Sequence, residues 1–195
     1  MSTAPNRAVS QLTSAPIERR ERRRVAMRGF AAREGGTSIE IVVLDLSYEG
    51  CGIETPVALE AGEALKLSVL RRGAIDTHVR WYVNGRAGLV FDPEPEAPKG
   101  QVPRKWQRTR LTAQCGMRRL GKMGFKVQLF DLSTHGCKID LVERPSIGEH
   151  VTIKFDGLEL LEAEVCWVEG GTAGLRFEKP IHSAVFDLLL ARLKS

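Results

Sequence analysis

The 195 residues predict an all-β chain: two tandem small antiparallel barrels followed by one C-terminal helix. Three observations carry this prediction. The stretch "DLSYEGCGIET" (45–55) recurs 86 residues later as "DLSTHGCKIDL" (131–141), and the match continues without insertion or deletion. Arg24 falls on Arg110, Gly62 on Gly148, Glu63 on Glu149, Val79 on Val165 and Trp81 on Trp167, and "AGLVF" (87–91) lies over "AGLRF" (173–177). Second, the matched apolar residues alternate, as they do on strands whose side chains point to opposite faces at every step. Third, 19 glycines with only 6 % aromatic residues fit many short strands and turns better than a helical bundle.

The elements follow in chain order. Residues 1–17 are polar and unpatterned and read as a disordered tail. The first barrel spans 18–93 and opens on "ERRERRRVAMR". Ile39, Ile41 and Val43, then Leu65, Leu67 and Val69, form alternating apolar sets, and "VRWYVNGRAGLVF" closes the copy as two strands around a glycine turn. Within "DPEPEAPKGQVP" (92–103) four prolines and the absence of periodicity mark a short, stiff linker, placed at 94–103. The second barrel, 104–195, repeats the sets with Phe125, Val127 and Leu129, then Val151, Ile153 and Phe155. At its end "IHSAVFDLLLARLK" puts Val185, Leu188, Leu189 and Leu193 at helical spacing behind Pro180, a helix expected to cover the open end of the second barrel. Regular short strands with glycine turns favour barrels over βαβ units.

Composition narrows the function. A net charge of +5 favours an anionic partner: nucleic acid, an anionic membrane surface or a small phosphate ligand. Cys51, Cys115, Cys137 and Cys166 show no CxxC spacing, so reduced thiols and no metal are expected. The N-terminus lacks the apolar core of a signal peptide, and no run approaches the ~20 apolar residues of a membrane helix. A cytoplasmic protein without a membrane span is expected. His78, His135, His150 and His182 make no triad or metal set, and no nucleophile and base recur at usable spacing, which argues against an enzyme.

The residues fit ligand chemistry better. Arg19, Arg20, Arg22, Arg23 and Arg24 precede the first strand, and both copies place an arginine, Arg24 or Arg110, 21 residues before the aspartate of DxSxxG. If the incoming chain passes that turn, guanidinium groups face the Asp and Ser. Guanidinium groups chelate the guanine O6/N7 edge and pair with phosphate, and an aspartate accepts from guanine N1 and N2. Asp45, Ser47 and Gly50 in copy one, and Asp131, Ser133 and Gly136 in copy two, supply that second half. The bland reading is a turn in which Asp and Ser bond their own backbone and glycine supplies a positive φ. It leaves the arginines unexplained. Trp81 and Trp167 read as core residues, and Cys51 and Cys137 as small buried side chains.

These motifs resemble the PilZ family, whose signature is RxxxR followed by [DN]xSxxG. Copy one carries both halves, "RERRR" (20–24) and Asp45, Ser47, Gly50, and the closing strands of both copies are similar to the family's. The resemblance implies a six-stranded antiparallel barrel and a non-enzymatic receptor for cyclic di-GMP. Its arginine segment would wrap over the ligand and signal by becoming ordered and reorienting the barrels. It also implies that Arg19, Arg20 and Arg24 grip guanine edges and phosphates, that Asp45 and Ser47 hold a guanine, and that Arg19, preceding RxxxR, admits an intercalated dimer of the ligand. A protein partner of unknown identity is expected downstream.

Copy two departs from this pattern. Trp106 stands where Arg20 would be repeated, and its RxxxR, Arg104 and Arg108, sits two residues early, although Arg110 keeps its place. A two-residue shift keeps side chains on the same face while moving them ~6.6 Å. Loss of ligand binding is the favoured reading. The alternatives are a shift absorbed by the incoming segment and Trp106 stacking on a base. Two other functions compete: a degenerate PilZ scaffold that docks on protein without nucleotide, and nucleic-acid binding through the arginine arm. Interspersed acids weaken the latter.

Overall fold

The computed structural model describes residues 26–33, 35–70, 73–93 and 107–194. Two closed six-stranded antiparallel barrels and one helix account for nearly all of them. In the first barrel β1 (Met27–Arg33), β2 (Ser38–Leu46), β3 (Gly50–Glu54), β4 (Ala64–Val69), β5 (Ile75–Val83) and β6 (Arg86–Phe91) close in the order β1-β2-β3-β6-β5-β4. The second repeats it with β7 (Thr109–Arg119), β8 (Phe125–Ser133), β9 (Gly136–Asp140), β10 (His150–Lys154), β11 (Leu161–Glu169) and β12 (Thr172–Phe177). Barrel closure leaves no free sheet edge.

The alternating sets fill the two interiors. Ile41, Val43, Leu65, Leu67 and Val69 are buried in one barrel, and Val127, Leu129, Val151, Ile153 and Phe155 in the other. The "VNGR" stretch makes a two-residue hairpin with Asn84 and Gly85 both at positive φ (47° and 77°), the geometry that matches strand twist. Gly170 and Gly171 repeat it at 53° and 76°.

One ion pair is duplicated with the fold. Arg33 Nε donates to Glu63, and Arg119 Nη2 donates to Glu149 at 2.8 Å, each pinning the loop before the fourth strand of its barrel. The Arg33 guanidinium, with the Glu60 amide second, holds Glu63 below the usual carboxylate range, and Arg119 with the Ser146 amide does the same to Glu149. A depressed carboxyl stabilises the fold above its unfolded value of about 4.3 and loses that contribution as pH falls through the lower folded value. Melting temperature is therefore expected to drop on acidification below about pH 4.3, and a Glu63→Gln/Glu149→Gln double variant to show a shallower drop in a thermal melt series.

The helix α1 (Ser183–Leu193) buries Val185, Leu188, Leu189 and Leu190, with Leu193 only partly covered. His182 caps it, its Nδ1 accepting from the Ala184 amide at 3.2 Å. The helix follows β12, at the end of the second barrel that also meets the first. There Leu46 N–H donates to the Gly157 carbonyl (2.8 Å) and Glu159 N–H to the Leu46 carbonyl (2.9 Å), a short parallel bridge between barrels. Among the described residues no helix is long and apolar enough to cross a membrane. The expected tail, the arginine run to Arg24 and the linker lie outside the described residues.

Candidate functional site

The repeated motif sits where β2 turns into β3. Ser47 N–H donates to the Gly50 carbonyl at 2.9 Å, closing the turn. In copy two the Ser133 hydroxyl donates to the Gly136 carbonyl (3.1 Å) and accepts from the His135 amide (3.3 Å), so the motif is a well-bonded turn in its own right. Neither Gly50 nor Gly136 is at positive φ, which overturns the conformational reason for glycine there. The cause is packing: a Cβ on Gly50 would stand 1.9 Å from the Leu89 carbonyl oxygen, and one on Gly136 would stand 2.1 Å from that of Leu175. The motif strand lies this close because β3 pairs with β6, and β9 with β12.

A bulge between Val43 and Asp45 sets Asp45 opposite Gly52 on β3. Gly52 leaves the surface clear: a Cβ there would come within 3.0 Å of the Asp45 carboxylate. Cys51, beside it, is buried, and burial first, then the Asp45 charge, pushes its thiol well above the usual range, so it stays protonated. Burial pushes Cys115 up to about 12 in the same way. All four cysteines are free thiols.

The tryptophans are not core residues. Alternation through Thr77 and Val79, both buried, would carry Trp81 inward, but a bulge between Val79 and Trp81 turns the indole out, where it is 43 % exposed. It lies flat on Gly88, where a Cβ would approach Trp81 Nε1 to 2.2 Å. Trp167 repeats this on Gly174 after an equivalent bulge.

Together these features form a cleft of about 600 Å³ on the outside of the first barrel, lined by Asp45, Ser47, Arg80, Trp81 and Arg86, with Glu159 and Lys179 contributed by the second barrel. It combines the carboxylates of Asp45, Glu49 and Glu159, the Ser47 hydroxyl, the cations of Arg80, Arg86 and Lys179, and an aromatic face. The second barrel also grips the motif itself through Tyr48. Tyr48 N–H donates to the Glu159 carboxylate (2.6 Å), its carbonyl accepts from His182 N–H (2.8 Å), and its hydroxyl accepts from Glu162 N–H (3.0 Å). Sequence reading missed Arg80 and Arg86 because only barrel closure brings β5 and β6 beside the motif, and Glu159 and Lys179 because nothing in the motif points across the barrels. For Trp81 the bulge was the missing information, and the only trace in the sequence is the glycine paired across from each tryptophan.

In copy two the same surface is filled. Lys138 replaces Gly52, and its Nζ stands 5.7 Å above the Trp167 ring and 5.9 Å above that of Phe130. Arg108 Nη1 donates to Asp131 at 2.9 Å, and Arg110 stands opposite Asp131 in the β7–β8 ladder. The incoming segment of this barrel thus passes the motif aspartate, as the 21-residue spacing requires. Arg19, Arg20, Arg24, Arg104 and Trp106 lie outside the described residues. No group of side chains able to hold a metal is present among those described.

The model for the PilZ domain matches the chain twice, over residues 18–102 and 103–194. Among solved structures, the chain is similar to the Borreliella burgdorferi PlzA protein in complex with c-di-GMP, at 12 % identity over 86 % of this chain and 87 % of that one, TM-score 0.39. It is also similar to the Bacillus subtilis inhibitor of motility MotI/DgrA (13 %, 88 % and 96 %, 0.36) and to Escherichia coli YcgR in complex with c-di-GMP (14 %, 85 % and 82 %, 0.34). No curated protein matches it. With a PilZ match over each half and DxSxxG on the same bulged strand of both barrels, the chain belongs to the PilZ domain family.

Proposed function

We propose that the chain is a non-enzymatic cyclic di-GMP receptor whose ligand occupies the cleft of the first barrel. The cleft itself carries the proposal: Asp45 and Ser47 stand beside the cations Arg80 and Arg86 and the exposed face of Trp81, a set suited to an anionic guanine nucleotide. Arg19, Arg20 and Arg24 complete the site by folding over the ligand, an ordering driven by charge-assisted bonds to phosphate and base. Asp45 and Ser47 hold the guanine, and Gly50 lets β3, the strand that follows their turn, lie against β6.

The second barrel serves as output. Its own motif is occupied from within, Asp131 by Arg108 and the indole by Lys138, which favours loss of nucleotide binding there. Arg110, Ser133 and Gly136 then have structural roles. A second reading keeps the fold and drops the ligand, a degenerate PilZ scaffold that acts by protein–protein interaction without nucleotide, and the self-occupied motif of the second barrel supports it.

Signal passes through Glu159. Its carboxylate lines the ligand cleft while clamping the Tyr48 amide, so a ligand bearing phosphate charge opposes it and loosens the junction. Glu159→Gln is expected to tighten ligand binding about fivefold by removing one like charge, and to shrink the ligand-induced change in small-angle scattering. Calorimetric titration of the whole chain with cyclic di-GMP, beside Arg20→Ala and Arg24→Ala, tests the receptor. Saturable binding lost in the arginine variants supports it, and no heat with the wild-type chain refutes it. Two ligands per chain, reduced to one in Arg19→Ala, is the result expected for a dimeric ligand.

A further inference from the structure

The two barrels share one plan and one register, so residues 86 apart occupy equivalent places, and a departure between them marks what one barrel does that the other does not. One such departure lies at the end of the second barrel away from the junction. Strands β7, β9 and β11 end there, and β8, β10 and β12 begin there, whereas the junction residues Gly157, Glu159 and His182 follow β10 and β12. Of the three connections at that distal end, the loops 120–124 and 141–149 are held side by side by Glu143, which accepts from Arg119 (3.1 Å) and Lys122 (3.4 Å), and the third is the tight hairpin at Gly170 and Gly171.

Four large apolar side chains project from these loops: Leu120 is 89 % exposed, Met123 88 %, Ile147 69 % and Val142 60 %. In the first barrel the equivalent positions are Glu34, Thr37, Ala61 and Pro56. Cations change in step. Arg118, Lys122, Lys126 and Arg144 surround the apolar tips and are exposed, where the first barrel has Ala32, Gly36, Glu40 and Ala58. Of the acids at this end, Glu143 and Glu149 are ion-paired to Arg119, Asp140 accepts from the Gln128 amide, and Glu169 is exposed on the hairpin between β11 and β12. One copy of a duplicated unit thus acquired apolar tips and a basic rim together, at positions where the folded core requires neither.

We propose that this distal end docks the protein on an anionic lipid surface. Leu120 and Met123, nearly fully exposed, and the largely exposed Val142 and Ile147 on the adjacent loop form a protrusion that can enter the headgroup and acyl boundary, and the surrounding cations meet lipid phosphates. A protein interface fits less well, because the apolar residues form no groove and lysine is depleted in such interfaces. The surface lies on a different barrel from the nucleotide cleft, so the two proposals stand or fall separately.

Co-sedimentation of the whole chain with vesicles of equimolar phosphatidylglycerol and phosphatidylcholine tests it against vesicles of phosphatidylcholine alone. Binding is expected to the anionic vesicles only and to weaken with added salt. Leu120→Glu/Met123→Thr, which installs the residues of the first barrel, is expected to weaken it by at least about tenfold. Arg144→Gln is expected to weaken it about fivefold. Both variants should keep the wild-type melting curve and nucleotide titration, since the side chains lie on the surface. No binding to anionic vesicles, equal binding to neutral ones, or full binding by Leu120→Glu/Met123→Thr overturns the proposal. Failure with vesicles while the same variant loses a bound protein assigns the surface to a protein instead.

Discussion

Gly50→Ala is expected to destabilise the first barrel by about 3 kcal/mol, visible as a fall in the urea midpoint at unchanged slope. The added methyl would sit 1.9 Å from the Leu89 carbonyl oxygen, which belongs to the ladder and cannot rotate aside. Either β3 parts from β6 or the motif turn moves away from the cleft, so nucleotide affinity should fall with stability. Gly136→Ala meets the Leu175 carbonyl at 2.1 Å and should cost the second barrel a similar amount without touching the cleft. Gly73→Ala is the matching control: no atom lies within 4 Å of its Cβ position and its φ is not positive, so it should leave the midpoint unchanged or slightly raised. A small effect from Gly50→Ala would mean that the glycine is there for some reason other than this close approach.

Asp45→Ala is expected to weaken cyclic di-GMP binding by about ten- to a hundred-fold, the worth of a hydrogen bond to a charged group at ~1.5 to ~3 kcal/mol. Fold stability should barely change, because the carboxylate lies on the outer face of the barrel beside Gly52 and contributes nothing to the core. Gly52→Lys provides the complementary result: it copies the lysine of the second barrel, which stands over Trp167, and should fill the cleft from within and block ligand while Asp45 is still present. Loss of binding in both variants, with melting curves retained, separates an occupied site from an unfolded one.

The barrels were legible because duplication let each copy check the other. Alternation at Ile41 and Val43 repeats at Val127 and Leu129, and the 21-residue spacing that ties Arg110 to Asp131 in the sequence is the pairing of the β7–β8 ladder. The helix was legible from the spacing of Val185, Leu188 and Leu189 behind Pro180, although Leu190 is buried more fully than Leu193. What alternation misreads is a strand that bulges. Trp81 has inward parity in the sequence and outward placement in the fold, because the extra residue between Val79 and Trp81 shifts every later side chain to the other face. The exchange of Gly52 for Lys138 was visible in the two quoted stretches. Its meaning was not, since only the packed barrel places that lysine over an indole. Contacts such as Tyr48 with Glu159 join residues 111 apart and have no local signature at all.

A stoichiometric calorimetric titration of the wild-type chain beside Asp45→Ala and Asp131→Ala tests most directly whether the ligand occupies the first barrel. Binding that survives Asp131→Ala and is lost in Asp45→Ala is the predicted result. Binding that survives Asp45→Ala and is lost in Asp131→Ala would contradict it.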